Sequence, residues 1–244
     1  MASPQARTGT LDEGQVRAMF DRIARVYDPL NSLMTAGLHH RWRERAADLA
    51  ALAPGGRALD VASGTGDLAI ELAGRVGPSG TVIGSDFSEG MLERARTKAG
   101  GEPGVSWEWG NALELPYPDD SFDAATVGFG ARNFSDLDRG LGEMARVVRP
   151  GGNVVILEIT VPQRPPLSTF FSIWFDRMVP LIGKLAGDSD AYSYLPESVK
   201  RFPAPDRLAA KMDAAGLTDI RWTILAGGII AIHSGRRPGD RSES

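Results

Sequence analysis

The 244-residue chain has no cysteine. This excludes disulfides, thiolate nucleophiles and every metal site built on sulfur. Only three histidines are present. Two of them, His39 and His40, are adjacent, so a histidine-rich metal centre is not expected. No apolar run approaches the roughly 20 residues that span a bilayer. The first twelve residues are polar and lack the apolar stretch of a secretory signal, so the chain is expected in the cytoplasm. Acids outnumber bases, 31 to 27, and the net charge of −4 is not that of a general nucleic-acid binder, whose footprint is a basic excess. What remains is ordinary for a water-soluble protein: 42% hydrophobic and 24% charged residues, in a length that one α/β domain with a sizeable core fills.

Apolar residues Val16, Met19, Phe20, Ile23 and Tyr27 recur at helical spacing, predicting a helix over 15–27 that Pro29 stops. A second helix is predicted over 39–52, with Trp42, Ala46, Leu49 and Leu52 on one face. From Ala58 onward strands and helices alternate: strands at 58–63, 81–87, 105–109, 122–128 and 153–159, helices at 67–76, 90–99 and 137–148. Ser88 is placed to cap the second of these helices, and Arg149-Pro150-Gly151-Gly152 reads as a turn. Such alternation implies a parallel sheet with right-handed crossovers. Residues 161–205 break the rhythm; they hold seven of the sixteen prolines and the block Phe170-Phe171-Ser172-Ile173-Trp174-Phe175. A helix over 206–215 is closed by Gly216, and strands at 217–225 and 229–233 form a hairpin around Ala226-Gly227-Gly228. The expected fold is α/β: one doubly wound domain with a seven-stranded, mostly parallel sheet ending in a C-terminal antiparallel hairpin. An N-terminal helical lid occupies 13–53, a cover insertion 161–205, and frayed ends 1–12 and 236–244.

The most informative stretch is Leu59-Asp60-Val61-Ala62-Ser63-Gly64-Thr65-Gly66-Asp67. An apolar strand runs into a glycine-rich turn and then a helix. About 20 residues past Gly66, Val82-Ile83-Gly84-Ser85-Asp86 ends a second strand in a carboxylate. Glycines let backbone approach a ligand, and an acid there accepts from ribose hydroxyls. This is how a doubly wound domain holds an adenosine-containing cofactor. Gly64-x-Gly66-x-x-Ala69 also fits the loose dinucleotide fingerprint, so alone it does not choose the cofactor.

Two further segments choose. The run from Asn111 to Asp123 after strand three, and Arg146-Val147-Val148-Arg149-Pro150-Gly151-Gly152 before strand five, resemble the corresponding segments of S-adenosylmethionine-dependent methyltransferases, whose fold ends in an antiparallel hairpin. That resemblance implies S-adenosyl-L-methionine as cofactor. Gly64, Thr65 and Gly66 would then lie along its methionine moiety and Asp86 on its ribose. Asn111 and Ala112 would sit at the adenine edge, with Phe87 and Met91 on the adenine faces.

The segment from Tyr27 to Trp42, with Tyr27-Asp28, Asn31 and His39-x-x-Trp42, is similar to the signature of the ubiquinone/menaquinone biosynthesis C-methyltransferase family. Gly128-Phe129-Gly130-Ala131-Arg132-Asn133, Tyr192 to Ser198, and Phe202-Pro203 match its later segments. Leu30 stands where the family usually has Met and Thr35 where it has Ser. Gly128 stands where many members carry a Ser that helps bind the donor, so that hydroxyl contact is absent here or made by backbone. The resemblance implies C-methylation of a reduced polyprenylated quinone. 2-Demethylmenaquinol is the favoured acceptor, and a 2-methoxy-6-polyprenyl benzoquinol is the alternative. Other readings are a non-catalytic donor-binding module, a methyltransferase for a sterol or phenol, and a nicotinamide oxidoreductase.

A ring carbon becomes nucleophilic when the neighbouring hydroxyl loses its proton, so the site must favour a phenolate. Arg132 and Asn133 follow strand four, where the transferred group lies in such sheets. Arg132 either stabilises the phenolate or pairs structurally with Asp28 or Asp136. Tyr27 either touches the reactive hydroxyl or fills the core. His39 ranks below it as a base, and Asp28 and Asn31 are expected to shape the lid. Leu167–Leu185 is interrupted by Asp176, Arg177 and Lys184. It is expected either to line the path of the prenyl tail and touch a membrane surface transiently, or to be a buried or dimer-forming helix. No nucleic-acid partner is expected, and the oligomeric state stays open.

Overall fold

A computed structural model describes residues 12–102, 104–174 and 189–239. Its strands are β1 (Arg57–Val61), β2 (Thr81–Asp86), β3 (Val105–Trp109), β4 (Phe122–Gly128), β5 (Val148–Ile159), β6 (Thr218–Leu225) and β7 (Ile230–Arg236). They form one seven-stranded sheet in the order β3-β2-β1-β4-β5-β7-β6. The first five pair in parallel, and β7 runs antiparallel between β5 and β6. The central strands β1 and β4 are buried apolar runs, as helices on both faces require. The edge strands β3 and β6 are largely exposed and show Trp109, Trp222 and Ile224 to solvent.

Helices α3 (Asp67–Val76) and α4 (Glu89–Ala99) carry the chain from β1 outward to β2 and β3, whereas α5 (Leu137–Val147) joins β4 to β5 on the other side. The winding therefore reverses between β1 and β4, and a crevice opens at their carboxyl ends. One core layer holds Phe122, Leu141, Met144 and Ile156 with Leu208 and Met212 of the helix over Pro205–Ala214. The opposite layer packs Leu68 and Leu72 of α3, Val155 and Ile232 against Ala46 and Ala47 of α2 (Leu38–Leu49).

The N-terminal helix differs most from its sequence pattern. α1 spans Glu13–Thr35 and runs through Pro29. Proline removes one hydrogen bond and crowds the preceding turn. The helix continues because its apolar stripe does: Met19, Ile23 and Ala24, then Tyr27 and Met34, pack with Met91 of α4 and with Tyr194. Burial of an amphipathic face outweighs local propensity.

Of the ends expected to fray, Asp12 and residues 236–239 are among the described residues. Asp12 accepts from Gln15 N at 2.8 Å while the Gln15 side chain accepts from Asp12 N, a capping box. Arg236 closes β7, and Arg237 reaches the Asp120 carboxylate at 2.6 Å and three backbone carbonyls. Residues 149–152, read as a turn, belong to β5, because Phe122 pairs with Val148 across a register shift. Ser88 does cap α4, accepting from Met91 N at 3.2 Å. Gly216 takes φ +87 beyond the C-terminal helix, where Leu217 N donates to Met212 O. Segment 161–205 contributes α6 (Leu167–Ile173) and α7 (Ser189–Arg201), with α8 (Pro205–Ala214) following. The expected tail-lining residues Met178, Val179, Leu181, Ile182 and Leu185 lie outside the described residues.

Candidate active site

The crevice between β1 and β4 is a cavity walled by the turn after β1, the end of β2 and the loop after β3. Of the residues expected to hold a cofactor, Gly64, Thr65, Asp86, Phe87, Met91, Asn111, Ala112 and Gly128 all line it. Asp86 organises it. One carboxylate oxygen accepts from Gly64 N at 2.8 Å and the other from Ser88 N at 2.9 Å, which ties the glycine turn to the cap of α4. Burial pushes the Asp86 carboxyl up to about 6 against these backbone bonds. Asn111 uses its Oδ1 on Leu113 N at 2.9 Å, which shapes the loop after β3.

Gly66 does not line the cavity. With φ +88 it starts α3, and a Cβ there would stand 2.2 Å from the Trp107 ring on β3. Its place is in the packing of the turn on the sheet. Gly66→Ala combines a left-handed backbone with overpacking and should lose roughly 1–3 kcal/mol in urea melts; a loss below ~0.5 kcal/mol would show that Trp107 simply moves aside.

Asp60, one residue before the end of β1, lines the same cavity and is fully buried. Thr126 donates to its Oδ1 at 2.7 Å, but Oδ2 has no partner. Burial pushes this carboxyl up to about 7, against the Thr126 bond. Ser63 Oγ, also in the cavity wall, is likewise buried without a partner. An unpaired buried carboxylate oxygen calls for a cation. Together with an acid for a ribose and the apolar Phe87, Met91 and Leu113 for a base, this suits a ligand with an ammonium, a ribose and an adenine. S-adenosylmethionine fits that donor set, and a pyrophosphate next to Asp60 does not.

A second cavity, of about 370 Å³, adjoins the first. Its wall is mostly apolar, with Met19, Ile23, Met34, Trp42, Phe171 and Trp174 among the contributors. Five residues belong to both cavities: Phe20, Tyr27, Arg43, Phe129 and Asn133. Tyr27 and Asn133 thus stand at the junction. Tyr194 donates its hydroxyl to Asn133 Oδ1 at 3.1 Å, and burial raises the Tyr194 hydroxyl above its ordinary value.

Arg132 faces the second cavity only, and its expected ion-pair partners are corrected. It pairs with Glu158 of β5 at 2.8 Å, not with Asp28 or Asp136. Burial works against the guanidinium charge, but Glu158, together with Tyr27 and Tyr194, holds Arg132 above its ordinary value. Arg132 also donates to Phe129 O, and its Nε is buried without a partner. Asp136 instead caps α5. Asp28 accepts from Thr65 Oγ1 at 2.5 Å and meets Lys98 at 2.6 Å, which fastens α1 onto the glycine turn.

His39 is a weak base. Burial first, then the Arg43 and His40 charges, lower it to about 4. Its Nδ1 receives an Arg43 N–H and its Nε2 lies 3.1 Å from Ser32 Oγ. Both ring nitrogens are engaged, leaving none for a substrate proton. Asp60, Arg43 and Glu158 carry no assignment in the sequence reading, although Asp60 and Glu158 each stand as an acid in an apolar strand, Leu59-Asp60-Val61 and Val154-Val155-Ile156-Leu157-Glu158-Ile159. That pattern is the signal that marks them.

This sheet order, with the glycine turn after β1 and a buried acid at the end of β2, defines the fold class of S-adenosylmethionine-dependent methyltransferases. Solved structures share it. One is the cyclase SpnF (19% identical, TM-score 0.70, covering 92% of this chain and 96% of that one). Another is a SAM-dependent methyltransferase from Aquifex aeolicus (19%, 0.56, covering 93% and 98%). Since one neighbour is a cyclase, the fold alone does not set the reaction.

The family is set by sequence: the model of the ubiE/COQ5 methyltransferase family matches residues 8–237, and the chain belongs to that family. It is 46% identical to the demethylmenaquinone methyltransferase of Thermus thermophilus, covering 90% of this chain and 100% of that one. It is 47% identical to that of Deinococcus radiodurans (92% and 93%). It is 41% identical to the ubiquinone/menaquinone biosynthesis C-methyltransferase of Geobacter sulfurreducens (91% and 88%).

Proposed function

We propose that this enzyme C-methylates a reduced polyprenylated quinone, 2-demethylmenaquinol, using S-adenosyl-L-methionine. The observation that carries this is the joining of two unlike cavities. One is walled by Asp60, Asp86 and the glycine turn, the other is apolar, and they meet at Tyr27, Asn133 and Arg43. The names of the Thermus and Deinococcus relatives support the choice of acceptor.

The donor supplies an electrophilic methyl group on a sulfonium. Gly64, Thr65 and Asp86, with Asn111, Ala112 and Gly128, would hold it, and Phe87 and Met91 would sandwich its base. Asp60 Oδ2 would receive its ammonium. The apolar cavity takes the quinol and excludes water, which strengthens every charge at the junction. Tyr27 and Asn133 orient the reacting hydroxyl, and Arg132 offers its unpartnered Nε from the substrate side. A quinol hydroxyl has a pKa near ~10, so its proton must leave under the influence of these groups. Ionisation of that hydroxyl raises electron density at the ortho ring carbon, to which the donor would supply its methyl, the sulfur leaving as a neutral thioether, while the hydroxyl and ring protons would pass to bulk water.

Leu38 lies in the substrate-cavity wall yet is 44% exposed, and Ile173, one residue before Trp174, is also exposed. This rim suits a transient meeting with the bilayer from which a prenylated substrate comes. Among the described residues no helix is long and apolar enough to cross a membrane. The test is an anaerobic assay with donor and short-chain demethylmenaquinol, repeated with the long-chain substrate in anionic vesicles. The expected result is a product one methyl heavier in both, with protein sedimenting on the vesicles. Methylation of a benzoquinol and not the naphthoquinol would shift the acceptor to the ubiquinone precursor. Turnover without vesicle binding would remove the membrane contact, and no transfer to any quinol would refute the proposal.

A further inference from the structure

Building on that methyl transfer, we propose that Arg43 is a catalytic residue. Its guanidinium supplies the positive charge beside the reacting quinol oxygen where the two cavities meet. Arg43 projects from α2, is 6% exposed, and is the one cation among the described residues that lies in the wall of both cavities. Its guanidinium sits 5.3 Å over the ring of Phe129, which also borders both. The stacking holds the planar group at the junction.

The other buried guanidinium, Arg132, borders the substrate cavity alone, and Glu158 at 2.8 Å offsets its charge. Arg43 is less fully compensated. Its carboxylate partner, Asp67 of α3, is 3.4 Å away and is shared with Lys98 at 2.6 Å. Its other bond goes to His39 Nδ1, a neutral acceptor. Asp60 of β1 lies in the wall of the same donor cavity and feels the Arg43 charge, but in the donor complex its carboxylate would be offset by the donor's ammonium; Asp28 of α1 is turned to Thr65 and Lys98. Glu13 and Tyr27 of α1, Asp86 of β2 and Tyr194 of α7 are further titratable groups in the walls of the two cavities, and His40 stacks on His39. A buried, incompletely paired guanidinium favours an anion formed next to it, because little solvent is present to screen it. The His39 bond and the Asp67 contact together fix the fork, so the charge is in place before the substrate arrives.

The experiment compares wild-type and Arg43→Gln protein with soluble short-chain demethylmenaquinol at saturating donor, across pH. Donor binding is measured separately by calorimetry. Removing one preorganised oxyanion donor should lower kcat about 100-fold. Without the charge, the pH at which kcat reaches half its maximum should rise by at least about one unit. Donor binding should persist. If Arg43→Gln does not fold, Arg43→Lys replaces it. A point charge on a shorter stem cannot both hold His39 and reach the junction, so kcat should fall at least ~10-fold. A folded variant with wild-type kcat and pH profile would overturn the inference. So would weakened donor binding with unchanged kcat at saturation, which assigns Arg43 to the cofactor. Absence of wild-type turnover would instead sink the methyl-transfer reading beneath it.

Discussion

Glu158→Gln is expected to destabilise the protein by about 3–5 kcal/mol, the usual effect of leaving a buried charge without its partner. Glu158 is 1% exposed and holds three donors: Arg132 Nη1 at 2.8 Å, Arg132 N at 3.2 Å and Ile159 N at 2.8 Å. The glutamine keeps the shape and one acceptor. What it removes is the negative charge that makes a buried Arg132 tolerable. In a chain of this size that loss lowers Tm by on the order of 10 °C, to be read by calorimetry and urea melts. The double substitution Glu158→Leu with Arg132→Met should recover much of the stability, since an apolar pair replaces an ionic one, while turnover stays low. A Glu158→Gln protein within ~1 kcal/mol of wild type would mean that water or another anion reaches Arg132. Recovery of stability together with full turnover would take Arg132 out of the reaction.

Cofactor affinity should rise steeply with pH. Burial raises Asp60 to about 7 and Asp86 to about 6, both above the unfolded value of 3.8. Between about pH 4 and 7 the folded, ligand-free protein therefore binds more protons than the unfolded chain. These two groups make stability fall as pH rises through that window and leave it flat above. A ligand with an ammonium group reverses the preference, because it pairs with the ionised form of Asp60. Binding releases protons, and affinity should rise about tenfold per unit for each proton released, so the complex at pH 5 should be roughly 100-fold weaker than at pH 7. The donor's own amino group stays protonated over this range. Titration calorimetry in two buffers of different ionisation enthalpy measures the proton count. Asp60→Asn should flatten the profile and weaken binding at pH 7. An affinity independent of pH from 5 to 7 would show that Asp60 does not meet the cation.

The glycine turn and Asp86 were legible because their chemistry is local: a strand end, a left-handed turn and an acid a fixed distance along the chain. α3, β3 and β4 fall on their predicted residues for the same reason, since periodicity and caps act within a few residues. Pro29 misled because its helix is held by packing on Met91 and Tyr194, far away in sequence. Arg132 was singled out by its place after β4. Its partner Glu158 lies on the neighbouring strand and could not be chosen over Asp28 or Asp136 from spacing.

By itself, the order of apolar runs, turns and caps determined a doubly wound sheet with an adenosine-type crevice, because those signals depend on neighbours in the chain. The tertiary structure alone decided that Asp60 and Arg43 are buried at that crevice, that Arg132 is neutralised from β5, and that a greasy cavity opens beside the polar one. Burial and ion pairing depend on which distant segments meet, and only the folded sheet brings β1, β5, α1 and α2 to one junction.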